Sequence, residues 1–490
     1  MNRLLVLASA ITLAACGNTG LNTSHSSAPD TAEPANTVLP SAPRPNVIII
    51  MADDLGWGDI GANGSEIITT PHIDSLADEG VNFTSGYVAA AVCAPSRAAL
   101  MTGRYQQSFG YEFNPRLRRE LGIPVDIETI ADRMGALGYS SALIGKWHLG
   151  QVPEHHPLNR GFDYFYGFTA GGNGYLNSAE DGEYLSDPVE GSAPGFRRMR
   201  LEAGFERIEP EGDLTSLLTE AAVEFIEAEA GDPDPFFLVL THFAPHTPLQ
   251  ATHSQLERYS HIEDQSTRIY SAMVSAMDDG IGAVIDALER TGARENTLIV
   301  FMSDNGCAAY IGEGVCSNGP LAGYKASYFE GGIRVPMIAS YPGSLPSGVV
   351  FDAPVMSFDW TVTALAMAGG DITGQQFDGV DLRPYLAGTA VGVPHTRLHW
   401  RTLPNFTIRD GDMKLVMIEQ AADKVMKPLL FDLANDPGET RNLAGARPEE
   451  VERLAGLFAE WNATIPEPGW ESQRTGTFQL PDGVRVNVYN

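Results

Sequence analysis

The stretch Asn46-Val-Ile-Ile-Ile-Met-Ala-Asp-Asp54 decides the fold of this 490-residue chain. Its apolar part is continuous and rich in β-branched residues, and two carboxylates follow it directly. An uninterrupted apolar run of this length is typical of a parallel strand that is buried on both faces. In open α/β sheets, ligands bind beyond the carboxyl ends of such strands. The stretch therefore predicts a central strand with a polar site at its end.

Three further apolar segments repeat this design, because polar or charged residues follow each of them at once. They are residues 140–145 before Lys146 and His148, residues 236–240 before His242 and His246, and residues 297–302 before Asp304 and Asn305. Apolar residues at helical spacing between these segments predict helices over 126–137, 217–230 and 268–290. Alternating strands and helices predict an α/β fold with a large mixed or parallel sheet flanked by helices.

The C-terminal part of the chain has a different pattern. Its apolar segments are shorter from residue 377 onward, and residues 449–462 have helical spacing. We therefore expect a catalytic domain over 46–376 and a smaller α+β domain with its own sheet over 377–490.

Composition excludes several classes of protein. Hydrophobic residues make up 43% of the chain, which is enough for a large core and excludes wholesale disorder. The 62 acidic and 32 basic residues give a formal charge of −30. A chain this acidic is a poor partner for nucleic acid or for a bare anionic membrane. If its substrate is an anion, its few cations must be concentrated at the site.

The N-terminus has the features of an export signal. Arg3 precedes a short apolar run, and Leu13-Ala-Ala-Cys16 resembles a bacterial lipobox, in which the cysteine is lipidated. We expect a lipoprotein signal peptide over 1–16 and a flexible tether over 17–45. This predicts an exported bacterial lipoprotein, periplasmic or held at the outer membrane, that touches the membrane only through its anchor. The alternative is an ordinary signal peptide in which Cys16 is incidental.

The segment Cys93-Ala-Pro-Ser-Arg97 places a cysteine where a helix begins. Pro95 suits the first turn of a helix, and the N-terminal N–H groups favour an anion beside Cys93. Arg97 lies one turn further along and returns to the same place. This arrangement stabilises a nucleophilic or oxyanionic group at residue 93. The alternative is a buried structural cysteine.

Other polar residues at the predicted strand ends form two chemical groups. Asp53, Asp54, Asp304 and Asn305 are hard oxygen donors that suit Ca²⁺ better than zinc, although aspartate and asparagine are also common in turns. The second group consists of candidate cations for anion binding and candidate acid–base residues. The alternatives are a solvated surface charge for the lysine and a structural role for the histidines. Its members are Arg97, Lys146, His148 and His246.

Cys93-Ala-Pro-Ser-Arg97, followed by Thr102-Gly-Arg104, resembles the signature of the type I sulfatase family. Other stretches resemble further blocks of that family in the same order; they are Asp53-Asp54, 145–150, 245–248, 303–306, Lys325 and the C-terminal stretch 431–443. The resemblance implies an alkaline phosphatase-like sandwich. It also implies that a maturation system converts Cys93 to Cα-formylglycine, and that residue 93 joins Asp53, Asp54, Asp304 and Asn305 around one Ca²⁺.

The resemblance also implies a mechanism for sulfate ester hydrolysis. One hydroxyl of the hydrated formylglycine attacks sulfur, and the alcohol leaves with a proton from His246 or with the aid of Lys325. His148 then takes the proton of the second hydroxyl, and sulfate is expelled as the aldehyde re-forms. Lys146, Lys325 and Arg97 would hold the sulfate oxygens.

Three alternatives and the substrate stay open in the sequence. The first alternative function is a phosphonate or phosphodiester hydrolase of the same superfamily, which shares much of the signature. The second is a non-catalytic glycan-binding lipoprotein, and the third is a Cys–His protease. An exported hydrolase with an open site suits a sulfated carbohydrate or an aryl sulfate. The stretch 168–199 is expected to line the pocket mouth. Tyr175, Tyr184 and Trp400 are candidates for stacking on sugar rings, and the alternative is that they belong to the core, as aromatic residues more often do. Cys307 and Cys316 are close enough in sequence to pair in an oxidising compartment.

Overall fold

The apolar stretch Asn46–Ala52 forms a central strand of the largest sheet. The computed structural model describes residues 44–115, 118–177, 181–185, 199–374, 376–473, 475–480 and 483–490. The expected signal peptide with Cys16, and the tether up to residue 43, lie outside the described residues. The described residues belong to one compact unit.

The strands of the described chain fall into one large sheet, one four-stranded sheet and three two-stranded pairs. In chain order they are β1 Asn46–Ala52, β2 Val81–Phe83, β3 Gly86–Tyr87, β4 Ser140–Lys146, β5 Tyr164–Phe168, β6 Gly182–Leu185, β7 Leu201–Ala203, β8 Glu206–Ile208, β9 Phe236–Thr241, β10 Leu249–Thr252, β11 Thr297–Ser303, β12 Met337–Ser340, β13 Val349–Phe351, β14 Val355–Met356, β15 Arg397–Thr402, β16 Asn405–Asp410, β17 Met413–Glu419, β18 Met426–Asp432, β19 Thr475–Gln479 and β20 Arg485–Tyr489.

The α-helices vary in length from single turns to one long helix of 27 residues. In chain order they are α1 Pro71–Asp78, α2 Cys93–Thr102, α3 Ile130–Ala136, α4 Leu214–Glu229, α5 His253–Leu256, α6 Gln265–Thr291, α7 Glu330–Ile333, α8 Asp359–Met367, α9 Arg383–Leu386 and α10 Pro448–Asn462.

The large sheet is mixed, with a parallel centre. Its strand order is β13-β2-β12-β11-β1-β9-β4-β5-β7-β8. The five strands from β11 to β5 run parallel, whereas β12 and β7 flank them in antiparallel pairing. The carboxyl ends of β1, β4, β9 and β11 therefore meet at one edge, as their sequences predict.

Alternate residues of β1 enter two different hydrophobic cores. Val47, Ile49 and Met51 pack on the side that carries α2, α3 and α8, whereas Ile48 and Ile50 pack on the side that carries α1, α4 and α6. The strand is thus buried on both faces, and the sheet lies between two helical layers. This confirms the predicted fold class.

The predicted helix over 126–137 begins later than its sequence suggested. The Asp132 N–H donates to the Thr129 side chain, and the Asp132 carboxylate accepts from the Thr129 N–H. This capping box starts α3 at Ile130. The predicted start at residue 126 was therefore wrong, because the side chain of Thr129 caps the first turn and the helix begins after it.

The small C-terminal sheet confirms the expected change of architecture. Strands β15–β18 form an antiparallel sheet, and α10 packs against β16 and β17 through Leu454 and Phe458. Its other face contacts Phe329, whose ring lies 6.1 Å from that of Phe431. The predicted boundary between residues 376 and 377 stays a prediction.

A buried ionic cluster fixes this small sheet to the main fold. The ammonium of Lys414 on β17 lies 2.8 Å from the Glu330 carboxylate on α7 and 2.9 Å from Glu439. Glu439 also accepts a hydrogen bond of 2.6 Å from the Glu330 N–H. All three side chains are buried, and burial raises the pKa of Glu439 to about 7. Lys414 thus pairs with both buried carboxyl groups, and Arg334 adds a second cation 3.4 Å from Glu330.

No helix in the described part of the chain has the length and apolarity needed to cross a bilayer.

Replacing the buried lysine tests the importance of the cluster. Lys414→Met should lower the free energy of unfolding by about 3–5 kcal/mol, because buried Glu439 loses the cation that pairs with it, while Glu330 keeps only its contact with Arg334 at 3.4 Å. Urea denaturation measures the change. Lys424→Met is the matched control, since that side chain is 73% exposed and lies 3.7 Å from Glu419; we expect a change below about 0.5 kcal/mol. Equal effects of the two substitutions would contradict the role assigned to Lys414.

Candidate active site

The register of the parallel strands brings the polar strand ends together. Ala52 pairs with Ser303, so Asp53 and Asp304 are the next residues on neighbouring strands. The Asp304 N–H donates to the Ala52 carbonyl oxygen at 3.1 Å, which continues the pairing beyond the strands. Lys146 is the last residue of β4, and Cys93 is the first residue of α2. The site is thus built at the carboxyl edge of the sheet.

Two buried cations neutralise the carboxylates at the floor of the site. The Lys146 ammonium lies 2.6 Å from Asp53, and the Arg97 guanidinium contacts Asp304 at 2.8 Å and Asp53 at 3.4 Å. Burial alone would raise the pKa of Asp53, but the charges of Lys146 and Arg97 outweigh it and hold that pKa far below its usual range. Burial raises the pKa of Asp304 to about 6. Both groups are therefore mainly ionised at neutral pH.

The guanidinium group of Arg97 forms its hydrogen bonds and ion pairs with other groups of the protein. In addition to the two carboxylates, it donates to the Lys146 carbonyl oxygen at 2.9 Å, and its side chain is 1% exposed. Arg97 therefore lies behind the carboxylates, as a group that orients them.

Cys93 lies between the carboxylates and Lys325. Its sulfur is 3.5 Å from an Asp53 oxygen and 3.1 Å from the Lys325 ammonium. Burial, with the negative charge of Asp304 as a second cause, raises the pKa of the thiol. The unmodified side chain is therefore a neutral thiol at physiological pH, which argues against a thiolate protease.

Asp54 is the point where several side chains converge. Its carboxylate contacts Lys325 at 2.5 Å and the Asn305 amide group at 2.7 Å. The His246 Nε2 atom lies 3.6 Å from its other oxygen, and the Tyr310 hydroxyl lies 3.5 Å from that same oxygen. Asp54 thus links the floor of the site to its more exposed rim.

The donors present fit a hard divalent cation. Single ligand atoms of Asp53, Asp54, Cys93 and His246 all lie within 4.8 Å of one another. The side-chain oxygen of Asn305 is buried and has no hydrogen-bond partner among the described residues. An orphaned amide oxygen beside carboxylates is the donor set that Ca²⁺ prefers.

Both predicted acid–base histidines are neutral at pH 7. Burial, together with the charges of Lys146 and Arg97, holds the pKa of His148 well below its ordinary value. Burial also lowers the pKa of His246. The His246 Nδ1 atom lies 2.6 Å from the Thr247 carbonyl oxygen, so its N–H donates there and Nε2 keeps its lone pair. Each ring can therefore accept a proton.

Lys325 remains protonated. Burial would lower its pKa, but the negative charge of Asp54 outweighs that effect and holds the pKa well above its ordinary value. Its backbone N–H donates to the Cys307 carbonyl oxygen at 2.9 Å, which fixes it in a loop without regular structure.

Strained backbone is concentrated at the site. Asp54, His148 and Ala326 adopt positive φ angles of 67°, 63° and 72°, respectively. A left-handed conformation is costly for a residue with a β-carbon, and it persists where the surroundings dictate it. Two of the three are predicted site residues, and the third follows Lys325.

Three residues that shape the site received no role from the sequence. The Asn114 side chain accepts a hydrogen bond of 2.9 Å from the Ala94 N–H, at the start of α2. Thr247 and Tyr310 stand at the rim, with their hydroxyl oxygens 3.5 Å apart. Thr247 lies in the stretch 245–248, in which the sequence singled out only His246, whereas Asn114 and Tyr310 lie neither at a strand end nor in a motif.

The expected sugar-stacking residues were wrong where the structure describes them. Tyr175 is buried, and its hydroxyl donates to the carbonyl oxygens of Phe243 and His246. Trp400 is fully buried, and its indole N–H donates to the Val88 carbonyl oxygen. Both side chains belong to the core, and backbone carbonyl oxygens satisfy their polar atoms. The side chain of Tyr184 and much of 168–199 lie outside the described residues.

Comparison with known proteins agrees with this geometry. The sulfatase family profile matches residues 45–370. Arylsulfatase G of Rattus norvegicus is 32% identical over 84% of this chain and 85% of its own length. N-acetylgalactosamine-6-sulfatase of Mus musculus is 32% identical over 81% of this chain and 82% of its own length.

A solved structure is similar over most of the fold. The crystal structure of Ps i-CgsB in complex with k-i-k-neocarrahexaose has a TM-score of 0.78 and 34% sequence identity. The match covers 87% of this chain and 95% of that chain. It confirms the sandwich fold that the sequence resemblance implied.

Proposed function

Because the chain belongs to the sulfatase family and hydrolyses sulfate esters, we propose that its substrates are sulfated carbohydrates and that formylglycine at position 93 and Ca²⁺ take part. The observation that carries this proposal is the convergence of Cys93 with two carboxylates and the Lys325 ammonium. A relative named N-acetylgalactosamine-6-sulfatase and a structure bound to k-i-k-neocarrahexaose support the carbohydrate substrate.

The anion site is formed by two lysines. Lys325 lies directly beside Cys93, and Lys146 is held against Asp53 on the buried floor. We assign Lys325 and Lys146 to the sulfate oxygens. Arg97 is a positioning residue, because its hydrogen bonds go to Asp304 and to the backbone.

The directions of the pKa shifts assign the proton transfers. Lys325 is protonated, so it can give a proton to the departing alcohol oxygen and draw one back from solvent. His148 is neutral, so it can accept a proton while sulfate leaves. His246 is also neutral, which favours Lys325 over His246 as the acid; His246 then orients groups at Asp54.

Two groups complete the chemistry. A formylglycine at residue 93 would supply, in its hydrated form, two hydroxyls on one carbon, one as the nucleophile toward sulfur and one whose proton His148 would accept. Asp53, Asp54, Asp304 and Asn305 would hold a calcium ion, which would supply positive charge beside the reacting sulfate. In the net reaction water cleaves the sulfur–oxygen ester bond to give alcohol and sulfate.

The alternative functions have less support from the site and from the relatives. Every position expected for catalysis is filled and lies at the same sheet edge, which disfavours a non-catalytic glycan-binding protein. The relatives named as sulfatases disfavour phosphonate or phosphodiester hydrolysis.

We also propose that the protein is exported and anchored by a lipid on Cys16. The lipobox-like Leu13-Ala-Ala-Cys16 and the polar stretch that follows support this. A disulfide between Cys307 and Cys316 suits an oxidising compartment. Inhibition of lipoprotein signal peptidase should block maturation of the N-terminus; unchanged processing would contradict the anchor.

Cys93 provides the central test of the mechanism. Protein made with a maturation system should yield a residue-93 peptide about 18 Da lighter than the cysteine form, and Cys93→Ala should lower turnover by at least about 1000-fold. The thermal midpoint should change little, because the lesion is chemical. Peptide mass, a chromogenic aryl sulfate and a sugar sulfate are the measurements. A thiol of unchanged mass in fully active enzyme would contradict the proposal.

Calcium binding can be tested without turnover. Ca²⁺ should raise the thermal midpoint relative to a chelator, because a ligand at about 100 times its Kd contributes about 2.7 kcal/mol to folding. Asn305→Ala should remove most of that increase, since it deletes the orphaned oxygen. Asn435→Ala, an exposed asparagine, is the control and should keep the increase. An equal increase in both variants would exclude Asn305 as a ligand.

A further inference from the structure

Tyr310 stands at the mouth of the site and has no role in the mechanism above. It lies in a short 3₁₀ turn, Ala309–Ile311, inside the loop that the Cys307–Cys316 disulfide closes. Its hydroxyl lies 3.5 Å from both the Asp54 carboxylate and the Thr247 hydroxyl. These contacts are at the limit of hydrogen-bond distance, so they hold the hydroxyl end only weakly.

The ring of Tyr310 faces solvent. The residue is 37% exposed, whereas its two contacts, Asp54 and Thr247, are 3% and 4% exposed. The exposed surface therefore belongs to the ring, since the hydroxyl end points into buried groups. The floor residues Asp53 and Lys146 are fully buried. A sulfate ester must then enter with its sulfate first and leave its alcohol half beside Tyr310.

Tyr310 is placed to contact a sugar ring, which the buried side chains of Tyr175 and Trp400 cannot do. The described floor offers charges for the sulfate, but those charges give no surface for the nonpolar face of a sugar ring. An exposed aromatic ring beside the leaving group supplies such a surface at low entropic cost.

The disulfide determines where this ring stands. Cys307 follows Asn305 by two residues, and its carbonyl oxygen accepts the Lys325 N–H. Its own N–H donates to the Asn318 side chain at 3.2 Å, and the bond to Cys316 closes the loop over a Cα separation of 6.1 Å. The base of the loop is thus tied to the catalytic centre, and the closure limits the positions open to Tyr310.

We propose that Tyr310 binds the alcohol half of the substrate, its ring packed on the face of a pyranose whose sulfate lies at residue 93, and that the Cys307–Cys316 disulfide holds that ring in position. This deepens, and rests on, the proposed action on sulfated carbohydrates.

The test separates binding of the sugar from binding of the anion. In a Cys93→Ala background, calorimetry measures the Kd of N-acetylgalactosamine 6-sulfate and of inorganic sulfate, with Ca²⁺ present. Adding Tyr310→Ala should raise the Kd of the sugar sulfate about tenfold and that of sulfate less than about twofold, because only the sugar contacts the ring. Tyr310→Phe should keep the Kd of the sugar sulfate within about threefold of the parent, since it retains the ring.

A matched control and a disulfide variant complete the experiment. Tyr164→Ala removes a tyrosine of similar exposure, 39%, at the amino end of β5 and thus on the opposite edge of the sheet, and it should change neither Kd. Cys307→Ser/Cys316→Ser should raise the Kd of the sugar sulfate in the same direction as Tyr310→Ala. If that variant does not fold, mild reduction of the folded parent replaces it. With Tyr310→Ala already present, loss of the disulfide should add little.

Several outcomes would overturn the proposal. They are an unchanged Kd in Tyr310→Ala, an equal loss for sugar sulfate and sulfate, a loss in Tyr310→Phe as large as in Tyr310→Ala, or no measurable binding of the sugar sulfate. An unchanged Kd in the reduced or serine variant overturns the role of the disulfide. Failure of the carbohydrate substrate looks different: the mature wild-type enzyme would not turn over the sugar sulfate, although Tyr310-dependent binding persists.

Discussion

Three carboxylates and three cations share one buried volume, and the rest of the site depends on their mutual compensation. Asp53, Asp54 and Asp304 are balanced by Arg97, Lys146 and Lys325, so the cluster of side chains is close to neutral. Each charge taken from water into a protein costs several kcal/mol unless a partner offsets it. Each charged side chain of the cluster therefore requires its partners. Their mutual contacts fix the distances between the strand ends, α2 and the Lys325 loop. Adding a divalent cation to a neutral cluster leaves a net positive pocket, which is what a sulfate ester requires.

The Lys325 loop is the weakest part of this arrangement, and remote parts of the fold support it. Between β11 and α7 the described chain has no strand or longer helix, only a single 3₁₀ turn. Hydrogen bonds hold Lys325 to Cys307 and Ala326 to Ala91, and the disulfide closes the first part of the loop. The end of the loop is held by the small sheet, where Lys414 meets Glu330 and Phe329 packs on Phe431. The C-terminal sheet thus supports the active site by holding the end of the segment that carries Lys325.

The parts of the site that the sequence predicted are those governed by local rules. A continuous apolar run identifies a buried strand, and the residue after it must lie at the sheet edge, which placed Asp53, Lys146 and Asp304 correctly. Tyr310 and Asn114 follow no such rule, because their positions come from a loop closure and from a contact between segments distant in sequence. Tyr175 was misjudged for a related reason. Its Gly- and Asn-rich surroundings resemble an exposed loop, and only the fold shows that two backbone carbonyls satisfy its hydroxyl.

The overall charge of −30 and the buried ion pairs of the site act over different distances. Charges on the surface are screened beyond about 8 Å at physiological ionic strength, whereas buried pairs are screened far less. The acidic surface therefore contributes little at the position of the reacting sulfur, and the local field is set by Lys146, Lys325 and their partners. An anionic substrate must come close before it experiences that field. Recognition at the mouth of the site therefore acts at short range. The ring of Tyr310 stands there, and because it is uncharged it does not repel an approaching anionic substrate.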